Sequence, residues 1–286
     1  MFFIRLLSRL SLPALYLISD FLFFISYYIV RYRRPLVRKN LKNAFPEKDP
    51  QTLHRIEKEF YRNLCDYAVE MLKLVTMSKE ELLRRMRFNG LEMMDKFKAA
   101  NQSVLIFASH QFNWEWLLLC GTACLPTPVD FVYQSVNSKF FDELSMAIRT
   151  RFGGYPIKRD EVARELIKRK HILRSIATVA DQYPGYGRDK KFITRFLNQD
   201  TAFFMGPNLL AQLSQYPAVY YRTKRIKRGF YEATPVILAL PPYPKESLTV
   251  IEKYVEEVEN TIKEYPAGWL WSHNRWKTRH LNTLTH

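Results

Sequence analysis

From residue 104 onward, short β-prone runs alternate with segments of helical periodicity, and this alternation limits the possible folds more than any other property of the chain. Residues 104–108, 129–134 and 175–180 read as strands, and helical patterns over 116–120, 139–152 and 161–170 separate them. A Gly-Gly turn at 153–154 leads into a further short strand. Residues 192–197 read as extended, 201–206 precede a helix at 207–213, and 248–265 form a closing amphipathic helix. The runs 218–223 and 231–240 flank a basic turn, as in a hairpin. Upstream, residues 49–75 carry Leu53, Ile56, Phe60, Leu64, Tyr67 and Met71 on one helical stripe. Ser78 opens a short helix with a capping-box pattern. Residues 88–91 read as a turn or short strand, 91–100 as a helix, and 40–46 as a break. Strands alternating with helices define an α/β class.

The N-terminal segment does not fit that alternation. Residues 10–30 form a 21-residue stretch dominated by Leu, Ile, Phe and Tyr, which meets the length of about 20 residues needed to cross a bilayer. Pro13 and Asp20 interrupt it, so a helix lying in the membrane interface is the alternative to a span. Arg31, Arg33, Arg34, Arg38, Lys39 and Lys42 follow at once, a basic flank that belongs on the cytoplasmic side and suits anionic headgroups. A buried helix of the core with a solvated basic face is the plain alternative. We expect residues 1–34 to be a membrane anchor and 35–286 one α/β domain. The formal charge of the whole chain is +16, which predicts an anionic partner: nucleic acid, anionic lipid or an acidic carrier protein. Cys65, Cys120 and Cys124 are odd in number and show no paired spacing, which disfavours a disulfide framework and a zinc site.

The strand at 104–108 ends at Ser109-His110, and a new helix starts just beyond. A buried strand that delivers a histidine to its carboxyl end presents a catalytic group in the manner usual for α/β sheets. Glu115 follows five positions later, where a turn can fold its carboxylate back onto the imidazole and make His110 a general base for a hydroxyl. The spacing alone selects nothing, since incidental His–Glu pairs are common. Arg149, Arg151 and Arg159 surround the Gly-Gly turn, and arginine forks suit an anionic substrate head or an oxyanion. Asp181 and Gln182 end another apolar strand, a position that serves a site or a cap equally well. Phosphate loops, dinucleotide fingerprints, nucleophile elbows and His-Glu-x-x-His are absent from the sequence. Its six histidines (His54, His110, His171, His273, His280 and His286) show no metal-ligand spacing. Near the end, residues 266–277 are dense in Trp, His, Arg and Lys, a mixture suited to a membrane interface or to stacking on nucleic acid bases.

Several of these blocks together resemble one family, the late acyltransferases of lipid A biosynthesis within the wider glycerolipid acyltransferase superfamily. The resemblance runs from the apolar N-terminus through Asn40-Leu41, Phe45-Pro46 and Ser109-His110-x4-Glu115. It continues through Ile157-Lys158-Arg159, Asp181-Gln182 and Phe204-Met205-Gly206 to Pro266-x-x-Trp269-x-Trp271-x-His273-x-Arg275-Trp276-Lys277. It implies a mixed central sheet flanked by helices, with His110 as base and Glu115 as its orienting acid. Arg159, Arg149, Asp181, Gln182 and Asn113 are the expected substrate-binding residues. The implied reaction moves an acyl chain from an acyl carrier protein or coenzyme A thioester to the hydroxyl of a 3-hydroxyacyl chain on a lipid A precursor. No metal or cofactor and no nucleic acid partner is implied, and the expected seat is an anionic surface, the cytoplasmic face of the inner membrane. The same chemistry on a lysophospholipid, aminolipid or glycolipid is the alternative. Gln134 stands where many relatives carry arginine, and Asp181-Gln182 where the wider superfamily usually has Glu-Gly.

Overall fold

A computed structural model of the protein describes residues 2–135, 138–185 and 190–277. Helices α1 (Phe2–Ser8), α2 (Leu12–Phe24), α3 (Arg34–Ala44) and α4 (Pro50–Lys73) come first, then α5 (Lys79–Arg85), β1 (Met86–Phe88) and α6 (Leu91–Ala99). The alternating part runs β2 (Val104–Ala108), α7 (Trp114–Cys124), β3 (Val129–Tyr133), α8 (Lys139–Arg149), β4 (Tyr155–Lys158), α9 (Val162–Lys168) and β5 (Ser175–Val179). A small hairpin, β6 (Lys191–Phe196) and β7 (Gln199–Phe204), precedes α10 (Gly206–Ser214). A long one, β8 (Ala218–Lys227) and β9 (Phe230–Ala239), precedes α11 (Thr249–Glu264).

The main sheet has the order β1-β9-β8-β2-β5-β3-β4. All its pairings are parallel except the β8–β9 hairpin, so the sheet is mixed, as the alternation and the resemblance led us to expect. β2 lies at its centre with every residue buried, which explains its unbroken apolar run. Side chains alternate across it. Leu105 and Phe107 face the layer that contains Tyr254 of α11 and Trp269, whereas Val104, Ile106 and Ala108 face the layer that contains Trp116 and Cys120 of α7.

The helix starts follow from local chemistry. Asp49 caps α4 by accepting from the N–H groups of Gln51 and Thr52, each at 2.9 Å, with Pro50 in the first turn. Ser78 accepts from Glu81 N at 3.1 Å. Residues 40–46, expected as a break, lie mostly within α3. Asn40, a poor helix former, turns its side-chain amide onto the carbonyls of Trp271 and His273 at 3.0 and 3.3 Å.

The apolar N-terminal stretch forms α2 and continues through a wider turn over Ile25–Ile29. By length and composition the helix from Leu12 to Ile29 is a candidate membrane anchor. One face packs against α4 through Leu15, Phe23 and Tyr27. Polar contacts fasten that face further. Tyr16 donates to Glu70 at 2.8 Å, Ser19 donates to Asp66 at 2.7 Å, and Arg228 from the β8–β9 turn bridges Asp66 and Asp20, both at 2.6 Å. The two residues that interrupt the apolar run thus have places: Pro13 sits in the first turn and Asp20 holds the hairpin. The opposite face leaves Leu17 73% and Phe21 62% exposed, with Phe24, Ile29 and Val30 beside them. The basic flank is only partly a solvated cluster. Arg34 and Arg38 both hold the buried carboxylate of Glu57 at 2.9 Å, and Arg33 donates to Ser272 O.

Candidate active site

The β2–β5 register sets the geometry. Ala108 lies opposite Val179, and the same offset carried two residues further brings His110 beside Asp181 just past the ends of both strands. His110 Nδ1 lies 2.6 Å from Asp181 Oδ1, and His110 N donates to Asp181 Oδ2 at 3.0 Å. Trp269 Nε1 donates to the same oxygen at 2.7 Å. With Nδ1 engaged as the donor to a carboxylate, Nε2 is the ring nitrogen available to take a proton. Asp181 is completely buried. Burial by itself would raise its carboxyl, yet the charge of His110 and the hydrogen bonds from His110 and Trp269 carry it down to about 2.

This arrangement corrects the expected pairing. Glu115 does not brace His110; Arg149 grips both its oxygens, Nε donating to Oε2 at 2.9 Å and Nη2 to Oε1, and Trp114 Nε1 adds a bond at 3.2 Å. Burial opposes the charge on Arg149, but the bonds and charge of Glu115 raise its pKa all the same. The helical start at Trp114 turns Glu115 toward α8, whereas the bond from Asp181 depends on strand neighbours 71 positions apart. Asp181 is engaged within the protein, where its carboxylate accepts from His110 and Trp269. Asn113 is likewise engaged within the protein. Fully buried, it caps α7 by accepting from Trp116 N at 3.1 Å, and its amide donates to Glu70 at 2.8 Å.

The loop that carries His110 is strapped to the C-terminal segment. Gln111 forms an antiparallel bridge with Trp269, and Phe112 N donates to Gly268 O at 2.8 Å. Gly268 is required by this close approach, because a Cβ there would come within 2.5 Å of Gln111 Nε2. Trp269 and Trp271 are buried, and Arg275 is buried under the ring of Phe203 at 4.5 Å. The aromatic and basic ending, read from composition as a membrane or nucleic acid surface, is therefore an internal brace of the site. His273 accepts from Tyr183 N at 3.1 Å, and burial together with the charge of Arg275 lowers its pKa to about 4.

His110, 16% exposed at its side chain, opens on a cavity of about 660 Å³. Glu115, Arg149, Arg159, Gln182 and Tyr183 share its wall, and most of the remaining lining is apolar. The structure thus brings His110, Glu115, Arg149, Arg159 and Gln182 of the expected set to one cavity. The guanidinium of Arg159 lies 5.1 Å from the ring centre of Phe204. Arg151 instead donates to the carbonyls of Leu74 and Met77 beyond α4. Among the described residues no group of three or more His, Cys, Asp or Glu side chains is arranged to hold a metal ion, and His280 and His286 lie outside those residues.

The structure thus sets a carboxylate-braced imidazole at the carboxyl edge of a mixed sheet, facing a largely apolar cavity. The profile of the bacterial lipid A biosynthesis acyltransferases matches residues 1–278, and the chain belongs to that family. It is an acyltransferase. The chain is similar to a lipid A biosynthesis acyltransferase of Haemophilus influenzae, 20% identical over 256 residues that cover 86% of this chain and 76% of the relative. It is also similar to the lipid A biosynthesis palmitoleoyltransferase of Escherichia coli, 22% identical over 254 residues that cover 86% and 79%.

Proposed function

We propose that the protein transfers an acyl chain from the thioester of an acyl carrier protein, or of coenzyme A, to the hydroxyl of a 3-hydroxyacyl chain on a lipid A precursor. The observation that carries this reading is the Asp181–His110 pair, with His110 in the cavity wall. Asp181 holds Nδ1–H, so Nε2 removes the proton from the acceptor hydroxyl as its oxygen attacks the thioester carbonyl carbon. The tetrahedral intermediate collapses with loss of the C–S bond, and the imidazolium returns its proton to the departing thiolate. Ester and thiol are the products. Glu115 serves through Arg149: the two-pronged bond fixes the guanidinium in the cavity wall, where it steadies the oxyanion. Arg159 and Gln182 contact the polar parts of the substrates.

Residues 1–34 seat the enzyme on an anionic membrane, the cytoplasmic face of the inner membrane. The bonds from Tyr16, Ser19 and Asp20 to the body of the protein favour α2 lying in the interface over crossing it, since a span would draw those polar groups into hydrocarbon. The exposed face from Leu17 to Val30 enters the lipid, and Arg31, Lys39 and Lys42 meet headgroups at about 1 kcal/mol per charge. The net charge of +16 equally suits an acidic carrier protein.

The test is to incubate purified protein with acyl-carrier-protein thioesters and a tetra-acylated lipid A precursor, and to weigh the products by mass spectrometry. Gain of one ester-linked chain, lost in His110→Ala, is the expected result. An unchanged acceptor, or full turnover by His110→Ala, contradicts the proposal.

A further inference from the structure

Helix α4 grips the two residues that follow the loop of the base. Tyr67 and Glu70 lie three positions apart on α4, which puts them on one face. The Glu70 carboxylate accepts from Asn113 Nδ2 at 2.8 Å, and the Tyr67 ring packs on the Trp114 ring at 4.3 Å between centres. Trp114 in turn meets the His110 ring edge to face, with centres 5.1 Å apart. A path of direct contacts thus leads from α4 to the imidazole, separate from the strap of the C-terminal segment.

Glu70 is completely buried, and three elements send it neutral donors. Besides Asn113, Tyr231 of β9 donates to Oε2 and Tyr16 of α2 donates to Oε1, both at 2.8 Å. Burying a carboxylate among neutral donors is costly. What the acid supplies is direction. A carboxylate only accepts, so the Asn113 amide must turn its nitrogen to Glu70 and its oxygen to Trp116 N, 3.1 Å away. That orientation fixes the end of the loop, the first turn of α7 and Trp114 with it.

We infer that Glu70 is a positioning residue of the acyl transfer: through Asn113 and Trp114 it holds the His110 ring on Asp181, and through Tyr16 it ties that hold to α2. The inference rests on the acyl-transfer reading above. It gives α2 a part beyond attachment. The Tyr16 hydroxyl is one of three groups that fix the acid, so loss of its bond reaches the base without altering the exposed apolar face of the helix.

The experiment measures kcat, KM and the NMR resonance of the His110 Nδ1–H along this path, with acyl-carrier-protein thioesters and a tetra-acylated lipid A precursor as substrates. Asn113→Asp sets two carboxylates at hydrogen-bond distance, where both cannot stay ionised. It should displace the resonance and lower kcat about tenfold at unchanged KM, the effect of a small misplacement of a catalytic group. Adding Glu70→Gln reverses the polarity of the bond. The new amide donates to the new carboxylate, the Tyr231 hydroxyl turns to accept, and Tyr16 keeps an oxygen to bond. The double variant should regain the native resonance and a kcat within about threefold of native.

Tyr16→Phe removes a single hydroxyl and should shift the resonance and lower kcat about threefold to tenfold. It decides the matter if Asn113→Asp does not fold. Its control is Ser19→Ala, one turn further along α2, which deletes the bond of 2.7 Å to Asp66 on the same α4. A role confined to holding α2 on α4 predicts a lower Tm in both variants with native kcat and resonance in both. Native kcat and resonance in Tyr16→Phe, equal shifts in Ser19→Ala, or a double variant no better than Asn113→Asp overturns the inference. If the native protein transfers no chain, the acyl-transfer reading fails, and the resonance series still tests the hold of Glu70 on His110.

Discussion

Two buried carboxylates serve the cavity, Glu115 in its wall and Asp181 bonded to His110 of that wall, and they are held in different ways. At the β2–β5 edge, Asp181 is bonded to His110 and Trp269 inside a locked strap of loop and C-terminal segment. On the α7–α8 flank, Glu115 is gripped by Arg149 through a charged fork. The first acid acts on the orientation of an imidazole; the second acts on the place of a cation. Under the proposed mechanism, two acids similar in burial divide the work of proton transfer and charge stabilisation by their partners alone.

Substitutions test this division, beginning with the largest effect. His110→Ala removes the base, and kcat should fall by about a thousandfold to ten-thousandfold with little change in binding of either substrate. Asp181→Asn keeps the shape of the site but loses the charge that holds Nδ1–H; the expected loss is roughly a hundredfold to a thousandfold in kcat at unchanged acceptor KM. Glu115→Gln loosens Arg149 and should lower kcat/KM about tenfold to a hundredfold, with Arg149→Lys behaving alike because an ammonium does not reproduce the fork. Steady-state kinetics on the four variants decides whether they fall in that order. Asn113→Ala removes a helix cap and deprives Glu70 of a donor, for about 1–3 kcal/mol of stability measured by denaturant unfolding, with a smaller effect on rate.

The smallest effect is on the pH dependence of stability. His273 titrates near 4 when folded against its ordinary 6.5, because burial and Arg275 disfavour its charge. Between those values the unfolded chain binds the extra proton, so this contribution is whole above 6.5 and declines as pH falls toward 4. His273→Asn should flatten the acid limb of the Tm-against-pH curve over that window.

Much of the frame was legible before the fold was known. The five apolar residues before Ser109 mark a buried strand, and the apolar run at 116–120 marks the next helix, so His110 could be placed at a strand end. Asp181 was likewise visible at the end of a β-run. Their partnership was not, because it depends on β5 being the neighbour of β2, with β3 displaced outward, and on a register 71 residues long. Local spacing offered only Glu115. The C-terminal Trp-rich segment misled for the same reason: its composition suits an interface, and only the bridge from Gln111 to Trp269 draws it into the core. In residues 40–46, tertiary bonds from Asn40 to distant carbonyls overrode weak helical propensity.

The most direct test of the central claim, that Asp181 rather than Glu115 braces the base, is the NMR resonance of the His110 Nδ1–H recorded side by side in Asp181→Asn and Glu115→Gln. The Asp181 carboxylate is the acceptor at Nδ1, so that resonance should shift or vanish in Asp181→Asn and stay in place in Glu115→Gln. A resonance displaced in Glu115→Gln and unmoved in Asp181→Asn would contradict the account.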